Sequence, residues 1–272
     1  MKECIVYKVG NDYYENNPDK NSGSYEVKII KKALLNDFSI VEDAPIAFII
    51  SGRMSDKDIY YISNMNAKTK KVLIATDIDC IQKLTSTFDF DIILHQFTSS
   101  EYQSSKMKYS YIPELFITHF QHIPDCVKKI DKILFAGTLN GREEKIEMLK
   151  SENSFIIPKN NEFDRRLPYD EYIILASLFK FHYIAVTNKA IKDGWVTSRF
   201  VEAVKFDATP IVDYEYDMFN HFNIPSFLRV KNAEDINKIY NDLRNLEIKY
   251  KFKEKISKNS SNFKQIAWEA SK

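Results

Sequence analysis

Short, almost wholly apolar runs recur along this chain, each followed by a stretch long enough for a helix. In the first half they are Ile5–Val9, Ile46–Ile50, Lys71–Ala75, Asp91–Leu94 and Tyr109–Ile112. In the second half they are Lys132–Ala136, Phe155–Ile157, His182–Val186, Thr209–Val212 and Phe227–Val230. A strand that is apolar on both faces has to be covered on both faces. Alternating strands and helices achieve this as parallel α/β layers with right-handed crossovers. Helices are predicted from Ser22 or Ser24 through Leu35, from about Ser55 to Asn66, from Arg142 to about Lys150, over Tyr169–Leu178 and over Ala233–Leu246. The pattern weakens at His119–Lys129, which contains Pro124. That break predicts an N-terminal domain over 1–125 and a second Rossmann-like domain over 126–248. A Lys-rich helix from about Tyr250 to Ser271 makes a third segment, 249–272. At 272 residues and 44% hydrophobic, the chain can fill two modest cores.

Composition narrows the function classes. No apolar run approaches 18 residues, and the N-terminus reads as a strand start rather than a signal peptide, so no membrane partner is expected. Cys4, Cys80 and Cys126 are scattered without a CxxC, which favours reduced thiols in a cytosol. The net charge of +1 excludes a uniformly basic nucleic-acid binder but not a local basic face. His119 and His122 share a helical spacing without a third ligand nearby, and read as surface or packed residues.

Gly194–Asp213 carries the strongest chemical signal. It reads as loop, helix, turn and strand, with Thr197 and Ser198 suited to start the helix and Phe200, Val201 and Val204 buried by it. The helix would run to about Phe206, with Asp207-Ala208 turning the chain. Arg199 falls in the first turn, where the helix dipole disfavours a cation by about 0.3–1 kcal/mol. A bound anion reverses that penalty, and backbone N–H groups at the same helix end favour it too. Glu202, three residues on, shares the face of Arg199, so the two form either a surface ion pair or part of a ligand site. A second strand-to-helix turn, Gly137 to Arg142, lacks the Lys-Ser/Thr of a Walker A loop and the GxGxxG spacing. It is either a glycine-shaped loop or a phosphate contact. Arg142 and Arg199 both open helices at carboxyl ends of strands, so convergence on one diphosphate is an economical reading.

In the first half, Thr76-Asp77-Ile78-Asp79 follows an apolar strand. One carboxylate at a sheet mouth suits a general base. Two at i, i+2 suit a divalent cation, and a plain polar turn is the third reading. Lys253, Lys255 and Lys258 in the terminal segment are either a solvated helix face or a DNA contact.

Together these segments resemble the GT-B glycosyltransferases, and within them the phage enzymes that glycosylate hydroxymethylated pyrimidines in DNA. Val72–Ile78 resembles the strand and Thr-Asp-Ile turn bearing that group's catalytic base, which assigns the role to Asp77. Ile133–Lys145 resembles the Gly-Ser/Thr loop and helix start, so Gly137, Thr138 and Arg142 face the donor diphosphate. Asn140 stands where the group has a first arginine. Trp195–Glu202 resembles the Thr-x-Arg-x-x-Glu segment, with Thr197, Ser198 and Arg199 at the phosphates and Glu202 at the ribose hydroxyls. Val212–Asp217 resembles the acidic segment that follows. The N-terminal acceptor region does not align well.

The resemblance implies an α/β GT-B fold, two Rossmann-like domains facing across a cleft, with the C-terminal helix packing back on the first. It implies a monomer that inverts at the sugar. The donor would be a UDP-sugar. The acceptor would be 5-hydroxymethylcytosine, or a sugar already on it, in double-stranded DNA. It also implies action in the cytoplasm of an infected bacterial host. No cofactor is obligatory; a divalent cation, Mg2+ or Mn2+, is a stimulator. Three alternatives stay open: a GT-A-like enzyme with Asp77 and Asp79 as a metal-binding DxD, a transferase acting on a non-DNA glycan, and a non-catalytic nucleotide- or glycan-binding module.

Overall fold

The computed structural model describes residues 2–10, 27, 30–31, 34–35, 37–52, 54–75, 78–95, 97, 106–109, 128–137, 141–149, 153–157, 169–195, 197–217, 222–244 and 269. The chain divides into two compact units. One is Met1–Gln96 with Ser100–His119 and Lys258–Lys272; the other is Phe97–Ser99 with Phe120–Ser257.

The first unit contains β1 (Lys2–Lys8), β2 (Phe38–Ile40), β3 (Ile46–Ile50), α1 (Asp56–Ser63), β4 (Lys70–Ala75), α2 (Ile78–Thr87), β5 (Ile92–His95) and β6 (Met107–Tyr109). Its 6-stranded sheet runs β2-β1-β3-β4-β5-β6, and every pairing is parallel. All five residues of β3 are buried, as expected of a strand covered on both faces. Cys4, Phe38, Ile46, Phe48, Ile50, Val72, Ile74 and Leu94 form one core face, closed by the helical residues Ile30 and Leu34. Burial pushes the Cys4 thiol up to about 11, so it is an inert core residue.

The chain reverses its direction across this sheet between β1 and β3. There the two strand ends touch: a Cβ at Gly52 would lie 2.1 Å from the Val9 carbonyl oxygen, so only glycine fits. Asp58, buried in the first turn of α1, ties this corner together. Its Oδ1 accepts from the Tyr7 hydroxyl at 2.7 Å and the Gly10 N–H at 3.0 Å. Its Oδ2 accepts from the Ser55 N–H at 2.7 Å and the Ser55 hydroxyl at 2.6 Å. The Ser55 hydroxyl serves the Asp58 N–H in return, a capping box whose acid also reaches a neighbouring strand.

The second unit contains β7 (Ile130–Ala136), α3 (Glu143–Glu147), β8 (Ser154–Ile157), α4 (Tyr169–Ser177), β9 (Phe179–Ile184), α5 (Asn188–Lys192), α6 (Ser198–Lys205), β10 (Thr209–Asp213), a 3-10 turn (Ser226–Leu228), β11 (Arg229–Val230) and α7 (Ala233–Leu243). Its 5-stranded sheet runs β11-β10-β9-β7-β8, again wholly parallel. The switch of direction lies between β7 and β9, and ligands of open α/β sheets bind at the carboxyl ends beside such a switch. Leu134, Tyr172, Ile173, Ala176, Phe179 and Phe206 pack one face of this sheet.

Several expectations move. Of Thr76-Asp77-Ile78-Asp79, the last two residues open α2 rather than continuing a polar turn. The segment between the expected strand His182–Val186 and Gly194 contains α5, and β2 is an additional edge strand. The strand expected over His182–Val186 begins earlier, at Phe179, and ends at Ile184. The segment Phe227–Val230 splits into a 3-10 turn and a two-residue strand. Thr138, Asp77, His119, His122, Lys253, Lys255 and Lys258 lie outside the described residues, as do all but one residue of the C-terminal segment.

Burial pushes the Asp58 carboxyl up, but the hydrogen bonds from Ser55, Tyr7 and Gly10 outweigh it and hold the group below its ordinary value. A depressed folded value contributes stability that is complete above about pH 4 and lost as pH falls through the folded value. Asp58→Asn is therefore expected to cost about 1–3 kcal/mol at pH 7. The unfolding free energy of the variant, measured by urea titration, should also fall less steeply below pH 4 than that of the parent.

Candidate active site

The sequence Gly194 to Asp213 folds as predicted in outline, and its two chain reversals have specific causes. Gly194 takes a φ of 65° after α5, letting its N–H reach the Ile191 carbonyl at 3.0 Å and the Trp195 N–H reach Ala190 at 2.8 Å. This paired closure ends α5 and turns the chain towards α6. Asp207, at φ 54°, repeats the device after α6, with Ala208 N–H donating to Ala203 at 2.9 Å. Phe200, Val201 and Val204 are buried, as expected. Thr197 is the N-cap residue, yet its hydroxyl makes no capping bond; Oγ1 is buried with no hydrogen-bond partner. The Thr197 N–H donates instead to the buried Tyr216 hydroxyl at 3.2 Å. Tyr216 is held in turn by Arg229, whose guanidinium donates to the Tyr214 and Tyr216 carbonyls.

Glu202 is only 1% exposed, which removes the surface-pair reading. Its Oε2 accepts from Arg199 Nη1 at 2.8 Å and from the Tyr172 hydroxyl at 2.8 Å. The guanidinium of Arg199 lies over the Tyr172 ring, 4.1 Å from the centroid, a cation–π contact. Burial, and beyond it the Glu202 carboxylate, push the Tyr172 hydroxyl well above its usual value although Arg199 opposes this; it stays a neutral donor.

A second set has the same composition. Asp213, the last residue of β10, accepts from the Tyr183 hydroxyl at 2.7 Å through Oδ1. Its Oδ2 accepts from Lys145 Nζ at 2.7 Å and the Val186 N–H at 3.1 Å. Lys145 also donates to the Val186 carbonyl at 2.7 Å. One aspartate thus joins the end of β10 to the segment after β9 and to α3. Burial and the Asp213 charge push the Tyr183 hydroxyl upward, so it too remains neutral.

Arg142 stands between the two sets. Burial lowers its pKa from the usual arginine value; Asp213 opposes that, and the like charge of Arg199 adds to it. A Cβ on Gly137 would lie 4.0 Å from Arg142 Nη1, which puts the guanidinium beside the end of β7. Arg142 precedes α3 without capping it. The structure therefore brings together Gly137, Arg142, Thr197, Arg199 and Glu202 at the carboxyl end of one sheet. Ser198 starts α6 beside them. Lys145, Tyr172, Tyr183 and Tyr216 were not anticipated; only the position of Lys145, one turn after Arg142, offered any signal. Glu202 pairs with Arg199 and Asp213 with Lys145, while Arg142 faces Asp213, Arg199 and the exposed Glu143. Among the described residues no group of three or more His, Cys, Asp or Glu side chains could hold a metal ion.

Comparison with solved structures places the fold. The chain matches the DNA-modifying β-glucosyltransferase solved with and without UDP-glucose at a TM-score of 0.63. The identity is 14%, over 99% of this chain and 96% of that one. This chain has the GT-B fold. The T4 phage β-glucosyltransferase in complex with UDP and Mn2+ matches at 0.57 and 13% identity, over 100% of this chain and 97% of that one. An α1,3-fucosyltransferase matches at 0.50 and 11% identity, covering 97% and 90%. No family model and no curated protein matches the sequence.

Lys145→Met would strip Asp213 of its cation while leaving the carboxylate buried. Breaking such a pair is expected to cost about 3–5 kcal/mol, read as a lower urea midpoint at pH 7.

Proposed function

We propose that this protein is a glycosyltransferase that binds a UDP-sugar at the carboxyl end of its second sheet. It moves the sugar to 5-hydroxymethylcytosine, or to a sugar already on that base, in DNA. The observation that carries the donor half is the proximity of Arg142 to Arg199, which lies in the first turn of α6. Cations and a helix N-terminus together suit a diphosphate. The GT-B neighbours solved with UDP and with UDP-glucose support this reading. The DNA half rests on the sequence resemblance and on the DNA-modifying neighbour.

In the proposed reaction Asp77 takes the proton of the acceptor hydroxyl. The freed oxygen attacks the anomeric carbon, the bond from that carbon to UDP breaks, and the sugar inverts. Arg199 and Arg142, with the α6 N-terminus, stabilise the charge gathering on the departing UDP. The role of Asp77 rests on the resemblance of Val72–Ile78 to the strand and Thr-Asp-Ile turn that bear the catalytic base of the phage enzymes. A target base inside a duplex has to flip out before it can react. Lys253, Lys255 and Lys258 belong to the proposal as DNA contacts. A divalent cation belongs to it as a stimulator, and no step depends on it.

Incubation with hydroxymethylated or plain DNA and a panel of UDP-sugars, followed by digestion and mass spectrometry of the nucleosides, tests the whole reading. A glycosylated nucleoside is expected only from the hydroxymethylated DNA. Arg199→Ala should weaken UDP binding by about 1.5–3 kcal/mol in calorimetry. Asp77→Asn should slow transfer by about two to four orders of magnitude and leave UDP affinity near that of the parent. Near-normal turnover by the folded Asp77→Asn protein would end the general-base assignment.

A further inference from the structure

We infer that Lys145 is a positioning residue that keeps Arg142 available to the donor, by holding the Arg142 turn in place and by occupying Asp213. The inference rests on the diphosphate reading above and gives Lys145 no contact with the ligand. Arg142 opens α3, a helix of only five residues that its side chain does not cap. So short a helix has little stability of its own and takes its place from what it packs against. Two contacts, one on each side of Arg142, supply that place. Before it, Gly141 has a φ of 72°, and a Cβ there would meet Thr187 Cγ2 at 3.3 Å, so the turn lies close against Thr187. After it, Lys145 Nζ donates to the Val186 carbonyl at 2.7 Å and to Asp213 Oδ2 at 2.7 Å. Val186 and Thr187 are consecutive, so both contacts register the Arg142 turn on the same short segment after β9.

Charge gives Lys145 its second effect. The Asp213 side chain is 7% exposed, so its carboxylate depends on partners inside the protein. Those partners are the Tyr183 hydroxyl, the Val186 N–H and Lys145. Arg142 is not among them, although the Asp213 charge acts on it. A buried carboxylate that loses its cation draws in another, because an uncompensated buried charge is costly. Without Lys145, Arg142 is the cation on which the Asp213 charge already acts. A guanidinium turned onto Asp213 has fewer N–H groups left for a phosphate. Lys145 thus serves the site by satisfying an anion that would otherwise compete with the donor for Arg142.

The test is calorimetry with UDP and inorganic pyrophosphate on the full chain. The proteins are the parent, Arg142→Ala, Lys145→Met, Lys145→Met with Arg142→Ala, and Lys145→Met with Asp213→Asn, each checked for an intact melting transition. Arg142→Ala and Lys145→Met should each weaken both probes, by a common factor on the order of tenfold. Joined to Arg142→Ala, Lys145→Met should have no further effect, a coupling that a merely structural role would not produce. Joined to Asp213→Asn, it should bind within about threefold of the parent, because the competing charge is gone. Unchanged binding by Lys145→Met, losses that add to those of Arg142→Ala, or no recovery with Asp213→Asn overturns this inference and leaves the donor reading intact. Failure of the parent to bind either probe, or parent-like binding by Arg142→Ala, overturns the donor reading and this inference with it. Should Lys145→Met not fold, Gly141→Ala decides the matter. It keeps every charge and pushes the turn off Thr187, so it should weaken both probes in the parent and neither in the Arg142→Ala background. Equal losses in the two backgrounds would overturn the inference.

Discussion

Two buried carboxylates govern the carboxyl end of the second sheet. Glu202 and Asp213 each accept from a buried tyrosine hydroxyl and each hold a cation, Arg199 or Lys145. A buried anion without partners would be prohibitive, so each carboxylate dictates where its tyrosine and its cation must stand. That requirement connects elements that no backbone ladder joins. Glu202 ties α6 to α4 through Tyr172, and Asp213 ties β10 to α3 and to the segment after β9. The cations are thereby fixed before any ligand arrives.

The topology explains why these pairs meet where they do. With the order β11-β10-β9-β7-β8, the connections on either side of β7 and β9 leave in opposite directions, the place where open α/β sheets bind their ligands. Arg142 comes from the connection after β7, Val186 from the one after β9, and Arg199 from the helix that leads into β10. Residues more than fifty positions apart in the chain become neighbours because parallel strands put all their carboxyl ends on one edge. The first sheet has its own switch between β1 and β3, closed by Gly52 and by Asp58.

The tyrosines mark the border between what could and could not be read in advance. Tyr172 and Tyr183 sit on an apolar helix and an apolar strand, where an aromatic residue is ordinarily core. Their rings do pack in the core. Only the position of a carboxylate thirty residues away in each case turns their hydroxyls into part of the site. Lys145 likewise reads as a solvated helix residue until its ammonium is seen between Val186 and Asp213.

The sequence by itself determined the parallel α/β class, most of the strands and the residues that open α6. Those features depend on local apolar runs and on turn chemistry, which act over a few residues. It also placed Arg142 and Arg199 together, because both follow strands of one parallel sheet. The short α5 escaped it because its five residues are too few for an apolar stripe to show, although Thr187 caps it. Only the tertiary structure decided the burial of Glu202. The spacing of Arg199 and Glu202 is the same for a surface pair and for a core pair, and what separates the two is whether α4 lies against that face of α6 and brings a tyrosine to it.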